Sequence, residues 1–104
     1  MSKVRAKTEE EVRSEFLDCV CSIVKTYTNE SDLTVKDRCR GVAFSILCIF
    51  DGQEQGLPAM GIVLQSDEDD KEYYRDIGEN WYEAGQVINN SSMLHEEFSG
   101  VKYV

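Results

Sequence analysis

The segment that most constrains the fold of this chain is residues 42–50, which are apolar at every position except Ser45. So short an apolar run fits a buried strand and a buried helix equally well. A helical stripe, however, begins seven residues before the run and continues through it in steps of four and three. The stripe consists of Val35, Cys39, Val42, Ile46 and Ile49. The pattern therefore favours a helix, with a buried strand as the alternative.

Both ends of this segment carry helix signals. Thr34, with Asp37 three residues later, resembles a capping box at the start of a helix. Asp51 followed by Gly52 supplies a stop, because glycine is the preferred residue just beyond a helix C-terminus. The sequence predicts a helix between Thr34 and Gly52, and Ile46 at its centre should be buried in either alternative.

Another helix is predicted ahead of this one, from Glu9 to Tyr27. Thr8 is the expected N-cap, Glu11 completes a capping box, and three successive acids favour the positive end of the helix dipole. Apolar residues then recur at helical spacing, at Val12, Phe16, Val20, Ile23 and Tyr27. Because only the short segment Asn29–Leu33 links the two helices, we expect an antiparallel helical hairpin.

Beyond Gly52 the pattern predicts a small sheet. Ala59–Gln65 is typical of a strand, and a strand needs partners for its backbone hydrogen bonds. The candidate partners are Gln86–Ile88 and Val101–Val104. The intervening residues 66–85 are expected to form an ordered loop with a helical turn near Tyr73–Ile77.

The C-terminal part carries one more helix signal. Ser91 or Ser92 is expected to cap a short helix that runs through Phe98 and ends at Gly100. The predicted fold class is therefore α+β, an N-terminal antiparallel two-helix hairpin packed on a small antiparallel sheet, with a short C-terminal helix. At 104 residues the chain is predicted to be a single domain, 1–104, with residues 1–7 frayed.

The net charge of −9 is distributed unevenly along the chain. Residues 1–40 hold equal numbers of acidic and basic side chains, whereas residues 41–104 hold twelve acids and three basic residues. Eight of these acids lie between Asp67 and Glu83. A field of this sign repels nucleic-acid phosphate and attracts a basic partner, so direct nucleic-acid binding is not expected.

The four cysteines are Cys19, Cys21, Cys39 and Cys48, and they lack the paired spacing of zinc ligands. The N-terminus lacks the apolar region of a signal peptide, and no apolar run reaches the length of a membrane span. We therefore expect a cytoplasmic protein that does not bind membranes. Its four cysteines should be reduced and mostly structural, packing as small apolar residues, with no metal and no cofactor.

Catalytic patterns are also missing from the sequence. Any Cys–His pair would have to use His95, and Cys19 and Cys21 lie mid-helix, away from the electropositive setting that a catalytic thiolate needs. Ser45 lacks the G-x-S-x-G elbow. The acidic run that begins at Asp67 lacks the glycine and glutamate positions of a calcium loop. We interpret His95 as a helix-surface residue and the protein as non-catalytic.

Tyrosine and tryptophan residues are interleaved with acids in residues 67–83. Trp and Tyr are typical interface anchors, and the acids would select a basic partner. We predict a partner-binding site formed by Asp67, Glu68, Asp69, Asp70, Tyr73, Tyr74, Asp76, Glu79, Trp81, Tyr82 and Glu83. The simpler alternative is that the rings pack onto the hairpin and only hold a long loop in place.

Three segments carry a resemblance to known sequences, and they are Gly41–Gly52 (GVAFSILCIFDG), Gly78–Tyr82 (GENWY) and Leu94–Phe98 (LHEEF). Together with Leu57-Pro58 they resemble a family of small bacterial and phage-type proteins of unknown function. The resemblance covers residues 34–98. It implies that Asp51-Gly52 and the Trp81 segment are parts of one shared fold. It implies no activity and no functional residues.

The residues favour a small acidic interaction protein that binds a basic protein surface, as immunity-type and phage-encoded inhibitors do. The alternative is a small ligand-binding or accessory subunit with a pocket between helices and sheet. The oligomeric state stays open, with a weak homodimer as one alternative.

Overall fold

Residues 4–100 are described by the computed structural model, and they form four helices. Helix α1 spans Glu9–Thr28, α2 spans Val35–Phe50, α3 spans Glu68–Asp76 and α4 spans Leu94–Ser99. Within residues 4–100 no helix has the length and apolar character needed to cross a membrane. The same residues contain no β-sheet, so the predicted α+β fold class is wrong and the fold is helical.

Helix α1 begins at the predicted residue and ends one residue later than predicted. The Thr8 hydroxyl accepts from the backbone N–H of Glu11 at 3.1 Å, and the Glu11 carboxylate accepts from the Thr8 N–H at 3.0 Å. The predicted capping box is thus confirmed. Ahead of it, in the segment predicted to fray, Arg5 pairs with Glu11 at 2.7 Å and Lys7 pairs with Glu15 at 2.6 Å. Residues 1–3 of that segment lie outside the described part.

Helix α2 confirms the helical interpretation of the apolar run and excludes the strand alternative. The Thr34 hydroxyl caps the helix by accepting from the Asp37 N–H at 3.1 Å. Asp51 is the C-cap, and Gly52 follows with a positive φ of 78°. A Cβ at Gly52 would also lie 2.9 Å from that of Ala59, so both the backbone angle and the space favour glycine in this turn.

The two helices form the antiparallel hairpin that the short link predicts. Near one end, the rings of Phe16 and Phe50 lie 5.6 Å apart. Near the other end, the Tyr27 ring lies against Gly41 so closely that a Cβ there would be 2.2 Å from the ring. Gly41 therefore lets α1 and α2 approach each other where a larger residue would hold them apart.

The predicted sheet is replaced by one isolated antiparallel bridge between Val63 and Val87. Next to it, the N–H of Leu64 donates to the carbonyl of Gln86 and the N–H of Ile88 donates to the carbonyl of Ile62, both at 2.9 Å. The segments that were expected to pair do meet, but they do not continue as strands.

Side-chain and turn interactions end this pairing on both sides. The Asn89 amide takes the place of a backbone partner, since its oxygen accepts from Ile62 N–H at 2.9 Å and its nitrogen donates to the Met60 carbonyl at 2.8 Å. On the other side, Gly85 turns the chain with a φ of 86° and donates to Leu64. The other predicted partner strand, Val101–Val104, lies outside the described residues.

The buried core of the described residues is small. Ile49 is the one fully buried apolar side chain among them, whereas Ile46, the predicted centre, is only half-buried. The radius of gyration is 18.0 Å, compared with about 13 Å for a compact domain of this length. Helix α4 packs against α2, and α3 packs against no other helix within residues 4–100.

Candidate protein-interaction surface

Helix α3 presents the first part of the predicted binding site. It is longer than the helical turn predicted near Tyr73–Ile77, because Asp67 caps it by accepting from the Asp70 N–H at 2.8 Å. Three further acids in its first turn, Glu68, Asp69 and Asp70, lie at the positive end of the helix dipole. These acids therefore stabilise the helix as well as setting its charge.

The tyrosines of this segment contact one another and remain largely open to solvent. The ring of Tyr74 lies edge-on to Tyr73 at 5.5 Å and to Tyr82 at 5.9 Å. Tyr74 is half-buried between them, whereas Tyr73 and Tyr82 are each 61% exposed. The cluster links α3 to the loop that follows it, and it leaves two aromatic rings at the surface.

Trp81 is fixed by charged neighbours on two sides. Its indole N–H donates to Glu83 Oε2 at 2.8 Å, and Lys71 Nζ lies 3.4 Å from the same oxygen. The cationic groups of Lys71 and Arg75 lie over the indole at 5.5 and 5.7 Å from its ring centre, within cation–π distance. The bond from Trp81, followed by Lys71, holds the pKa of Glu83 below its ordinary value. Trp81 is nevertheless 42% exposed.

The two ends of the segment that carries α3 and Trp81 are held together by hydrogen bonds. The Ser66 hydroxyl donates to the Tyr82 carbonyl at 2.9 Å, and the bridge between Val63 and Val87 lies just beyond it. Because α3 packs against no other described helix, its two tyrosines, Tyr73 and Tyr74, do not pack onto the hairpin as the alternative assumes. The three tyrosine rings pack against one another, and the Trp81 ring packs against Lys71 and Arg75.

The structure thus brings the predicted aromatic residues together with Glu83 into one cluster and places the remaining predicted acids around it. All eleven predicted site residues except Tyr74 are exposed. We call these eleven residues, together with Lys71 and Arg75, the acidic aromatic surface. Sequence reasoning missed the two cations because it used them only in the count of net charge. Their spacing of four, which places both on one face of α3, was the available signal.

A second polar cluster, which the sequence did not reveal, joins α2 to α4. The Asp51 carboxylate accepts from the backbone N–H groups of Leu94 and His95 at 3.0 and 2.8 Å, and it lies 2.5 Å from His95 Nδ1. Its side chain is 1% exposed. Burial acts to raise the pKa of Asp51, but the hydrogen bonds from His95 and Leu94 outweigh burial and hold the pKa below its ordinary value.

Two predictions about α4 are corrected by this cluster. Neither Ser91 nor Ser92 caps the helix, whose N-cap is Met93, because Asp51 supplies the acceptor for the first N–H groups instead. His95 is not a surface residue, since its side chain is 16% exposed and its ring lies edge-on to Phe44 at 5.5 Å. The Asp–His pair therefore anchors α4 to α2.

An open cleft of about 570 Å³ lies beside this anchor. Its polar lining comes from Asn90, Ser91 and Ser92, and its apolar lining includes Phe50 and Met60. The volume falls within the usual range for small-molecule sites, whereas the lining is more polar than is usual for them. The cleft lies between helices and loops, and not between helices and a sheet as the alternative function assumed.

The four thiols lie at different depths in the structure. Cys19 and Cys48 are half-buried, whereas Cys21 and Cys39 are exposed, and all four are free in the structure. Only two of the four thiols are therefore packed against the protein, although the sequence predicts that most of them are structural. Burial, and then the charges of Asp51 and Glu54, raise the pKa of Cys48, so its thiol stays protonated at neutral pH. Among residues 4–100, no cluster of three or more His, Cys, Asp or Glu side chains has the arrangement of a metal site.

No protein family, curated protein or solved structure matches this chain. The resemblance to small bacterial and phage-type proteins therefore stays a prediction, and the functional argument rests on the geometry of the chain itself.

Proposed function

We propose that this protein is a small acidic non-catalytic interaction protein that binds a basic protein surface through its acidic aromatic surface. The observation that carries the proposal is the exposure of Tyr73, Trp81 and Tyr82 in a segment where eight acids surround two basic residues. Aromatic anchors rimmed by charge of one sign are typical of interfaces with a partner of opposite charge. In this proposal the protein acts in the cytoplasm and needs no cofactor. Immunity-type and phage-encoded inhibitors are the class of protein that this function fits.

The environment of Trp81 indicates how a basic partner would bind. Lys71 and Arg75 already use the ring as a cation–π acceptor, at 5.5 and 5.7 Å. A partner arginine can replace either group on the ring, because an arginine is weakly hydrated and stacks well on aromatic faces. The surrounding acids would accelerate the encounter, and the aromatic rings would hold the complex together.

The proposal is tested by affinity capture from the native host lysate. The proteins captured by wild type are compared with those captured by charge-reversed variants. Asp76 and Glu79 are suitable positions because they lie at or beyond the C-terminus of α3, where a lysine does not oppose the helix dipole. The variant Asp76→Lys/Glu79→Lys should lose the captured basic protein, and high salt should release it from wild type.

The matched control reverses two exposed acids at the hairpin turn, Glu30→Lys/Asp32→Lys, and so changes the net charge equally. This control should retain the partner. Capture that survives high salt and the Asp76→Lys/Glu79→Lys change would refute the proposal.

The second candidate function is small-ligand binding in the cleft beside Asp51. It is favoured by one observation, the approach of Asn90, Ser91 and Ser92 to an apolar wall in a cleft of about 570 Å³. A small-molecule screen by thermal shift distinguishes the two functions, because a hit in the cleft should be lost in Ser92→Trp and retained in Asp76→Lys/Glu79→Lys.

A further inference from the structure

We propose that a second copy of this chain packs against one side of the α1–α2 hairpin, forming a two-fold symmetric homodimer. We call this side the hairpin flank. It is defined by Leu17, Cys21 and Val24 of α1 and by Val35, Cys39 and Val42 of α2. The flank is separate from the acidic aromatic surface, so the proposal does not rest on the function proposed above.

The flank is an apolar stripe that the hairpin itself leaves uncovered. Leu17 is 51% exposed, Val24 is 46% exposed and Val35 is 69% exposed. Residues seven apart lie on the same face of a helix, which aligns Leu17 with Val24 on α1 and Val35 with Val42 on α2. A groove of about 240 Å³ runs between the two helices at this point, lined by Val24, Val35 and Val42.

The rest of the described chain covers a different side of α2. Helix α4 contacts Arg40, Phe44 and Asp51, which lie about half a turn around α2 from Val35 and Val42. Helix α3 packs against no other helix within residues 4–100. The flank is therefore open to another molecule.

One residue that lines the groove has a buried polar atom without an acceptor within residues 4–100. Arg38 lines the groove, and its Nε is buried with no hydrogen-bond partner among the described residues. A buried donor without an acceptor costs free energy, and natural structures almost always supply one. A carboxylate, hydroxyl or carbonyl group of the second copy would satisfy it if the Arg38 side chain turned towards the groove, because the atom is closed to solvent in the single chain.

The total surface of the chain leaves room for an interface of subunit size. The chain exposes 8327 Å², whereas a compact monomer of 11.9 kDa exposes about 6,000 Å². The excess is larger than the roughly 800 Å² that each partner contributes to a standard stable interface. A dimer would also enlarge a core in which Ile49 is the one fully buried apolar side chain among the described residues.

Charge favours a copy of the same chain as the occupant of the flank. The net charge of −9 lies entirely in residues 41–104, whereas residues 1–40, which hold α1 and the start of α2, are neutral overall. Two copies would repel each other through their acidic aromatic surfaces. Along the hairpin, α1 carries five acids and two basic residues, whereas α2 carries three basic residues and one acid, so a two-fold arrangement that places α1 of one copy beside α2 of the other brings opposite charges together.

Sedimentation equilibrium over a range of protein concentrations tests the dimer. Wild type should show twice the monomer mass at high concentration. Leu17→Glu and Val24→Glu should each raise the dissociation constant by about tenfold or more, because a two-fold interface places both copies of the new charge in an apolar setting. Both positions are exposed, so circular dichroism should show unchanged helix content.

The matched control is Ile77→Glu, which changes a side chain of similar exposure, 50%, at the end of α3. It should leave the dissociation constant unchanged. A wild-type protein that stays monomeric at every concentration, or a Val24→Glu variant that associates as well as wild type, would overturn the proposal.

Thiol labelling supplies a second measurement on the same flank. Cys21 and Cys39 are exposed in the single chain, whereas Cys19 and Cys48 are half-buried and react slowly because burial raises the pKa of both thiols. Labelling of Cys21 by a maleimide should slow as the wild-type concentration rises, and it should not slow in Val24→Glu. A rate for Cys21 that is independent of concentration in wild type would contradict the dimer.

Discussion

Asp51 is the single residue with the largest structural role that sequence reasoning could not assign. Its position before Gly52 predicts a helix stop, and it is the C-cap of α2, but its carboxylate also caps α4 more than 40 residues later. Cap rules read the residues next to a helix end, and a cap from a distant segment leaves no such local signal. His95 is likewise predicted on the helix surface because its partner, Asp51, is distant in the sequence.

Replacing Asp51 should destabilise the protein by unpairing two helix N–H groups. Asp51→Ala should lower the free energy of unfolding by about 1–3 kcal/mol, the usual cost of losing a cap and leaving buried donors unsatisfied. Urea denaturation at neutral pH measures this, with the exposed Asp32→Ala as the control. Equal stability of Asp51→Ala and wild type would show that α4 does not depend on this carboxylate.

The same residue gives a stability term that depends on pH. The folded pKa of Asp51 lies below its ordinary value of about 4, so the unfolded chain binds its proton more readily than the folded chain does. The contribution is complete above pH 4 and is lost as the pH falls through the folded pKa. Asp51→Asn should lack this component, and its denaturation midpoint should therefore fall less steeply than that of wild type below pH 4.

Two neighbouring isoleucines test where the core lies. Ile49 is fully buried and Ile46 is half-buried, although the stripe placed Ile46 at the centre. Ile49→Ala should cost about 2–5 kcal/mol, whereas Ile46→Ala should cost clearly less because part of its side chain is already in water. If urea denaturation shows that Ile46→Ala loses more free energy of unfolding than Ile49→Ala, the centre of the core lies at Ile46, as the sequence predicts.

At the scale of elements, the hairpin was predictable because its signals are local. The Thr8 and Thr34 caps, the apolar stripes and the Asp51-Gly52 stop each act within a few residues of the helix end that they mark. The sheet failed because strand pairing depends on distant partners. Here the Asn89 amide replaces a strand neighbour, and Gly85 turns the chain away after one bridge.

The close approach of α1 and α2 predicts coupling between Gly41 and Tyr27. Gly41→Ala should destabilise the hairpin, because the new Cβ would lie 2.2 Å from the Tyr27 ring and the ring must move. In a Tyr27→Ala background the same change should stabilise α2 by about 0.5–1 kcal/mol, the difference in helix propensity. A double-mutant cycle by thermal denaturation measures the coupling, and stabilisation by Gly41→Ala in wild type would contradict the contact.

At the scale of the whole molecule, charge and aromatic composition located the candidate surface, although not its internal contacts. Ten of its eleven predicted residues are exposed, as a binding site requires. The contacts of Lys71 and Arg75 with Trp81 depend on how the loop after α3 folds back. The sequence predicts only part of the helix that carries these two cations. It does not predict how the loop after that helix folds.

The binding kinetics of the captured partner, measured at several salt concentrations, test the central claim most directly. The account predicts that Asp76→Lys/Glu79→Lys lowers the association rate by about tenfold at low salt, since exposed charges steer the encounter. Trp81→Ala should mainly raise the dissociation rate, and Glu30→Lys/Asp32→Lys should match wild type. An affinity that is indifferent to salt, to the reversal at Asp76 and Glu79 and to the loss of Trp81 would contradict the account.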